Sequence, residues 1–460
     1  MVIFNKKIFI VLTVIVVITE YLYSDGKNLE KVVINIDKEK IINDQFKGIG
    51  VQGDLFLWLG DEYKVSKEEE EMIIERVRKV NPSIVRLFLM TRWWNPEKGV
   101  YEWESIGMKN LYKVLELYKS IGAEVILTVW RFSRWINPGV DMNNAVELST
   151  SVAKLVKHLI RDKGFENIKY LIIYNEPDLE FRDVRGKSSG YRDDIRDYRK
   201  IYELLDSALR GEGVRNDIKL MGPDDALSTE WFCETVEMMD DLIDVYDSHH
   251  YETYDARAYL SWLKPRVDKL REKNINKLWY VTEFGMLGDG RETFDYGLYV
   301  GEVAAIVFNN GASSLLIWTL QSNPYPGEGG MNDWGLWRYL DTEWQIRPVY
   351  YSYSILTRNF RPGMKVIKSS SNSDEILTLS MISSDNKVSI MVVNRGRQVE
   401  LEINCKLEKN SSFFKYLYNK KIASNMFEGN LIEPKKININ QENKLVDKLD
   451  KLSLVLYVQE

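Results

Sequence analysis

The chain has 460 residues, 45% hydrophobic and 28% charged, a balance that allows a sizeable buried core and excludes collagen-like, disordered and multi-span membrane classes. Lys plus Arg number 62 against 68 Asp plus Glu, a net charge of −6, so a nucleic-acid partner is not expected, because phosphate binding needs a basic surface. With 3 histidines and 2 cysteines, a zinc-rich centre and a disulfide scaffold are also excluded, and Cys233 and Cys405 are expected as buried thiols.

Residues 1–24 stand apart. Lys6 and Lys7 precede an apolar run, Ile8 to Ile18, which suits a signal-peptide core and is too short to span a bilayer unaided. Tyr21-Leu22-Tyr23-Ser24 lacks the small residues usual before a cleavage site, so removal and retention as a membrane tether both stay open. Either outcome predicts a secreted or cell-surface anchored protein. The run 31–37 reads as a strand ahead of the first domain. It is expected to complete the C-terminal module, since alone its backbone groups would go unpaired.

Over residues 38–360, short apolar runs alternate with long amphipathic ones, which is the mark of repeated βα units. Strands are predicted at Phe46 to Val51, Ile84 to Phe88, Glu124 to Val129, Lys169 to Tyr174, Ile218 to Gly222, Ile243 to Ser248, Leu278 to Thr282 and Ser313 to Trp318. Helical spacing is seen at Ser66 to Val80, Met108 to Lys119, Ala145 to Arg161, Ile195 to Leu209 and Tyr296 to Phe308. Eight parallel strands with eight crossovers predict an α/β fold, a (β/α)8 TIM barrel. Residues 361–460 change to short alternating runs, which predict an all-β sandwich.

Two motifs are discounted. Gly48-Ile49-Gly50-Val51-Gln52-Gly53 matches a dinucleotide fingerprint, yet the helix that should follow at once begins only near Ser66. Gly186-Lys187-Ser188-Ser189-Gly190 matches a nucleophile elbow, but its charged flanks suit a solvent loop. A zinc site at His249, His250 and Glu252 fails because neighbouring strand residues point to opposite faces, and His158 is expected on a helix surface. No metal and no cofactor is implied.

The strong signals end the fourth and seventh predicted strands. Tyr170 to Tyr174 delivers Asn175-Glu176-Pro177, and Leu278 to Val281 leads into Thr282-Glu283. Proline biases Glu176 toward an extended conformation, and both carboxyls are expected to converge at the barrel mouth. Trp58, Trp93, Trp94, Trp130, Trp135, Trp334 and Trp337 fall on predicted loops, where indole rings offer flat faces for stacking. Trp130 and Trp318 are the candidates for ligand contact.

Asn-Glu-Pro after strand four and a glutamate after strand seven resemble the clan A retaining glycoside hydrolases, in outline families 39, 30 and 5. The resemblance implies that Glu176 is the general acid/base and Glu283 the nucleophile. It also implies that Arg86 lies beside the nucleophile, Asn175 bonds the sugar 2-hydroxyl, His249 and Tyr251 form the His-x-Tyr pattern, and Trp318 floors the sugar subsite. Chemically, Glu283 must be ionised before attack, and Arg86 is expected to lower its pKa. Glu176 must start protonated, so its pKa is expected to be raised. The expected partner is a β-linked polysaccharide or oligosaccharide. The alternatives are a catalytically silent carbohydrate-binding barrel and a nicotinamide-dependent oxidoreductase using Gly48 to Gly53; oligomeric state is not legible.

Overall fold

The computed structural model describes residues 29–460 apart from 61–62, 64, 140, 180–190, 327–330, 340–342 and 427–428. The apolar run at 8–18 and the Gly186–Gly190 motif lie outside the described residues. Among the described residues, no helix is long and apolar enough to cross a membrane.

After a first strand, β1 (Glu30–Asn43), the apolar runs become β2 (Gly48–Gln52), β3 (Ile84–Met90), β4 (Glu124–Arg131), β5 (Ile168–Ile172), β6 (Lys219–Asp225), β7 (Val245–Glu252), β8 (Trp279–Met286) and β9 (Ser314–Ile317). They pair in chain order, and β9 pairs back onto β2, so the expected eight-stranded parallel barrel closes. Around it run α1 (Lys67–Val80), α2 (Ile106–Ser120), α3 (Ala145–Lys157), α4 (Tyr191–Gly211), α5 (Thr229–Met239), α6 (Tyr259–Glu272), α7 (Phe294–Asn309) and α8 (Val349–Asn359). Helix α1 starts at a capping box. The Ser66 hydroxyl accepts from the Glu69 N–H at 3.1 Å, and the Glu69 carboxylate accepts from the Ser66 N–H at 2.7 Å.

Ile84, Ile126, Tyr170, Ile172, Met221, Val245, Tyr280 and Leu316 fill the barrel interior. Alternate residues Val85, Leu87, Val125 and Leu127 face the helices. Because side chains alternate along a strand, Arg86 and Phe88 follow Ile84 up the inner face toward the C-terminal mouth. The glycine-rich segment turns out to serve packing. A Cβ on Gly50 would lie 2.4 Å from the Ile84 carbonyl oxygen, and one on Gly53 would lie 2.3 Å from Val85, while the first α-helix among the described residues begins only at Lys67.

Beyond a short pair, β10 (Asn323–Pro324) and β11 (Met331–Asn332), the C-terminal part supplies β12 (Lys365–Ser371), β13 (Ile376–Ile382), β14 (Val388–Asn394), β15 (Val399–Asn404), β16 (Ser412–Asn419), β17 (Lys435–Asn438), β18 (Leu445–Leu449) and β19 (Ser453–Gln459). With β1 they form one nine-stranded sheet in the order β17-β16-β19-β14-β13-β12-β1-β15-β18. Val32, Ile34 and Ile36 of β1 share a core with Ile390, Val392, Leu401, Ile403 and Phe413. On the other face, Met391, Val393, Leu454 and Leu456 join the barrel's own core.

Two expectations are corrected. His158 is buried rather than exposed: its ring stacks on Trp103 with centroids 4.2 Å apart and bonds the Tyr112 hydroxyl at 2.8 Å. There α3 gives way to a π-turn, His158–Asp162, and His158 falls on the helix face already buried at Ser151 and Leu155. Cys405 is buried, but Cys233, on the amphipathic α5, is only half-buried.

Candidate active site

The inner faces of the strands converge on a hollow of about 320 Å³ at the mouth, lined by Phe88, Trp130, Asn175, Glu176, Tyr251, Glu283, Trp318, Tyr325 and Asn332. Strand register accounts for much of it. Gln52 pairs with Arg86 across β2 and β3, so their side chains lie abreast. Between β7 and β8 the register runs through Ser248 and Val281 and then jumps one residue, to His249 and Glu283. This bulge places an extra residue in β8. Simple alternation from Tyr280 would turn Glu283 outward; the bulge turns it into the mouth beside His249. His249 and Tyr251, two apart on β7, share that inner face. His250 faces away and stacks on Trp262 with centroids 4.5 Å apart.

Glu176 departs from expectation. It adopts φ +46° in place of the extended conformation that Pro177 favours. Its N–H donates to Asp224 Oδ2 at 3.3 Å, and its carbonyl accepts from Leu179 N–H at 3.0 Å. Asp178 then accepts from the N–H groups of Ala226, Leu227 and Ser228, each at 3.0 Å, which binds this turn to the loop after β6. Such a left-handed residue costs on the order of 1–3 kcal/mol, and these contacts hold it in place.

The charged groups form one network. Arg86, fully buried, donates to Glu283 Oε1, to Gln52 Oε1 at 3.2 Å, to Asn175 Oδ1 at 2.8 Å and to both oxygens of Asp224 at 3.1 and 2.8 Å. Tyr251 donates to Glu283 Oε2 at 2.5 Å. His249 bridges Glu176 Oε1 through Nδ1 and Asp224 Oδ1 through Nε2, both at 3.0 Å, with Glu283 Oε2 at 3.6 Å. Burial alone would push His249 down, but Glu283 and Asp224 outweigh it and hold the ring well above its ordinary value, as a cation. Burial likewise raises Asp224, and Arg86 and His249 overcome that to hold it well below the usual carboxylate range.

Glu283 corrects a second expectation. Its burial pushes the carboxyl up, and the opposing pull of His249 and Arg86 reduces that rise without reversing it. Burial and the neighbouring Glu283 push the Tyr251 phenol well up, so it remains a donor.

The structure brings Glu176, Glu283, Arg86, Asn175, His249 and Tyr251 together, with Trp130 and Trp318 on the walls. Trp130 lies flat on Phe88, centroids 5.0 Å apart and planes at 7°, and Trp318 lies flat on Tyr325 at 5.8 Å and 13°. Among the other tryptophans on predicted loops, Trp93, Trp94 and Trp337 are core residues. Trp334 packs edge-on against Tyr251, and Trp58 and Trp135 are only partly buried against the core.

Asp224, Gln52, Phe88 and Tyr325 were not singled out from sequence. For Asp224 a signal existed: Gly222-Pro223-Asp224-Asp225 ends an apolar strand, the same setting that marked the two glutamates. Glu176, His249 and Glu283 present donor atoms within 4.8 Å of one another, a set able to hold a divalent cation. The guanidinium on Glu283 and the positive charge of His249 would repel one.

No protein-family model matches the chain, and no curated protein matches its sequence. Solved structures do match its fold. A glycoside hydrolase family 30 endoxylanase from Clostridium papyrosolvens is 14% identical with a TM-score of 0.66, the match covering 93% of this chain and 99% of that one. The catalytic domain of family 30 xylanase C from Talaromyces cellulolyticus is 13% identical, TM-score 0.67, covering 93% and 100%. A thermostable family 51 α-L-arabinofuranosidase from Thermotoga petrophila is 14% identical, TM-score 0.67, covering 93% and 100%.

Proposed function

We propose that the protein is a retaining glycoside hydrolase that cleaves β-glycosidic bonds in a polysaccharide or oligosaccharide. The observation that carries this is the spacing of two carboxyls in one hollow: an oxygen of Glu176 lies within 4.8 Å of one of Glu283. Retention needs the carboxyls about 5–5.5 Å apart, and inversion about 6.5–9.5 Å, to admit a water. The fold likeness to glycoside hydrolases supports the same reading.

The surroundings divide the roles. Glu283 is buried, aimed by Arg86 and Tyr251, which suits the nucleophile. The Glu176 side chain is 25% exposed, which suits a group that must give a proton to the departing oxygen and later take one from water. In the first step a Glu283 oxygen bonds the anomeric carbon while the glycosidic bond breaks and the Glu176 proton goes to the leaving oxygen. In the second, water attacks that carbon, Glu176 takes its proton, and the ester to Glu283 breaks. Asn175, with Trp130 and Trp318, would hold the sugar. The apolar run at 8–18 supports a secreted or cell-surface setting.

Aryl glycosides test the reading. Glu176→Gln should lower turnover by about 10²- to 10⁴-fold, and Glu283→Gln by more. Azide should rescue Glu176→Ala with a glycosyl azide of retained configuration, and Glu283→Ala with an inverted one. Undiminished turnover in both glutamine variants would overturn the proposal.

A further inference from the structure

We propose that Asp54 is a positioning residue that ties the aromatic wall of the hollow to the Arg86–Glu283 pair, an inference that rests on the glycosidase reading above. Asp54 directly follows the glycine-rich segment Gly48 to Gly53 at β2. Asp54 is buried, and three donors converge on it. Oδ1 accepts from the Phe88 N–H at 2.8 Å, and Oδ2 accepts from Gln52 Nε2 at 2.6 Å and from the Tyr325 hydroxyl at 2.9 Å. Its backbone carbonyl accepts from Asn323 Nδ2 at 2.8 Å, so the loop after β9 is held to it twice.

Each donor leads somewhere useful. Tyr325 carries the face against Trp318, and Phe88 the face against Trp130. Gln52 turns its Oε1 to Arg86, which in turn grips Glu283. A path of one ring stack and then hydrogen bonds therefore runs from Trp318 through Tyr325, Asp54, Gln52 and Arg86 to Glu283. Only an acceptor-only carboxylate can take all three donors. An amide in its place would turn an N–H toward one of them.

Burial pushes Asp54 up to about 6, against the hydrogen bonds from Gln52, Phe88 and Tyr325 and the charge of Arg86. The ionisable groups facing it are Arg86 from β3, Tyr118 from α2 and Tyr325 from the loop after β9. Protonation on Oδ2 would cost Gln52 or Tyr325 its acceptor. A carboxyl raised in the fold also works against folding when ionised: that cost is complete above about 6 and absent below the ordinary value of 3.8. A residue kept against that cost in a site is expected to serve the site.

The experiment compares Asp54→Asn, Tyr325→Phe and the unaltered protein on an aryl glycoside panel from pH 4.5 to 8.5, alongside melting temperature and near-ultraviolet circular dichroism. Asp54→Asn should lower kcat/KM on the order of 10²-fold and abolish a limb near pH 6, while its melting temperature at pH 8 holds or rises. Tyr325→Phe should act mainly on KM. Activity that merely tracks a lowered melting temperature, with the pH profile unchanged, would overturn the inference. If Asp54→Asn does not fold, Tyr325→Phe decides: an unchanged KM counts against the proposal. If the unaltered protein cleaves nothing, the glycosidase reading fails, and the dichroism decides the positioning role without substrate. A step near pH 6, absent in both variants, upholds the coupling; no step, or one that persists in Asp54→Asn, removes it.

Discussion

Asp224 accepts hydrogen bonds from Arg86, His249 and the Glu176 N–H, so one side chain braces the cation, the imidazole and the candidate acid together. Removing one member of a fully buried ion pair strands the other, at about 3–5 kcal/mol. Asp224→Asn should show that loss in urea unfolding, together with a fall in kcat on the order of 10²-fold. Since Asp224 is depressed in the fold, its stabilisation is present above the ordinary value of 3.8 and lost only as pH falls through its lower native value. The deficit should therefore stay constant from pH 5.5 to 8, and an unchanged urea midpoint would show that Glu283 and Gln52 suffice to hold Arg86. At this scale the sequence exposes residues with a simple address. Glu176 and Glu283 follow apolar runs and could be read, whereas the φ of Glu176 opposes its own proline, and Asp224, at the same kind of strand end, has Asp225 beside it as an equal candidate.

Between elements, α7 packs closely against the nine-stranded sheet. A Cβ on Gly301 would lie 2.3 Å from the Leu454 side chain, and one on Gly297 would lie 2.2 Å from the Tyr418 hydroxyl. Arg395 fastens the same junction, with Nε 2.9 Å and a terminal nitrogen 2.7 Å from the Glu302 carboxylate oxygens. Gly301→Val should lower stability by about 1–3 kcal/mol through overpacking, read as a drop in melting temperature. An unchanged value would mean that the sheet can back away from the helix. Most elements were legible because hydrophobic period reports which face is buried. The bulge in β8 was not, since one additional residue leaves the period almost intact while reversing the face of Glu283. Helices α5, α6 and α8 were not singled out either; α6 carries Pro265 in its interior, a residue that ordinarily argues against helix.

Across the whole molecule, β1 lies between β12 and β15, antiparallel to the first and parallel to the second. Its apolar run of Val32, Val33, Ile34 and Ile36 made a strand readable, and pairing carries Val32, Ile34 and Ile36 into the C-terminal core. Deleting residues 29–43 would strip two neighbours of their ladders and uncover Leu401 and Ile403. Each buried aliphatic side chain of β1 is worth about 1.5–3 kcal/mol, so the shortened chain should melt several degrees lower and scatter light on warming. Intact solubility and melting would show that β12 and β15 can close on each other. The placement of β1 also sets an order in time. It leaves the ribosome ahead of the barrel, while the strands it must join are translated after the barrel is finished. Until then this half-apolar strand has no partner, which leaves it open to pairing with the wrong edge.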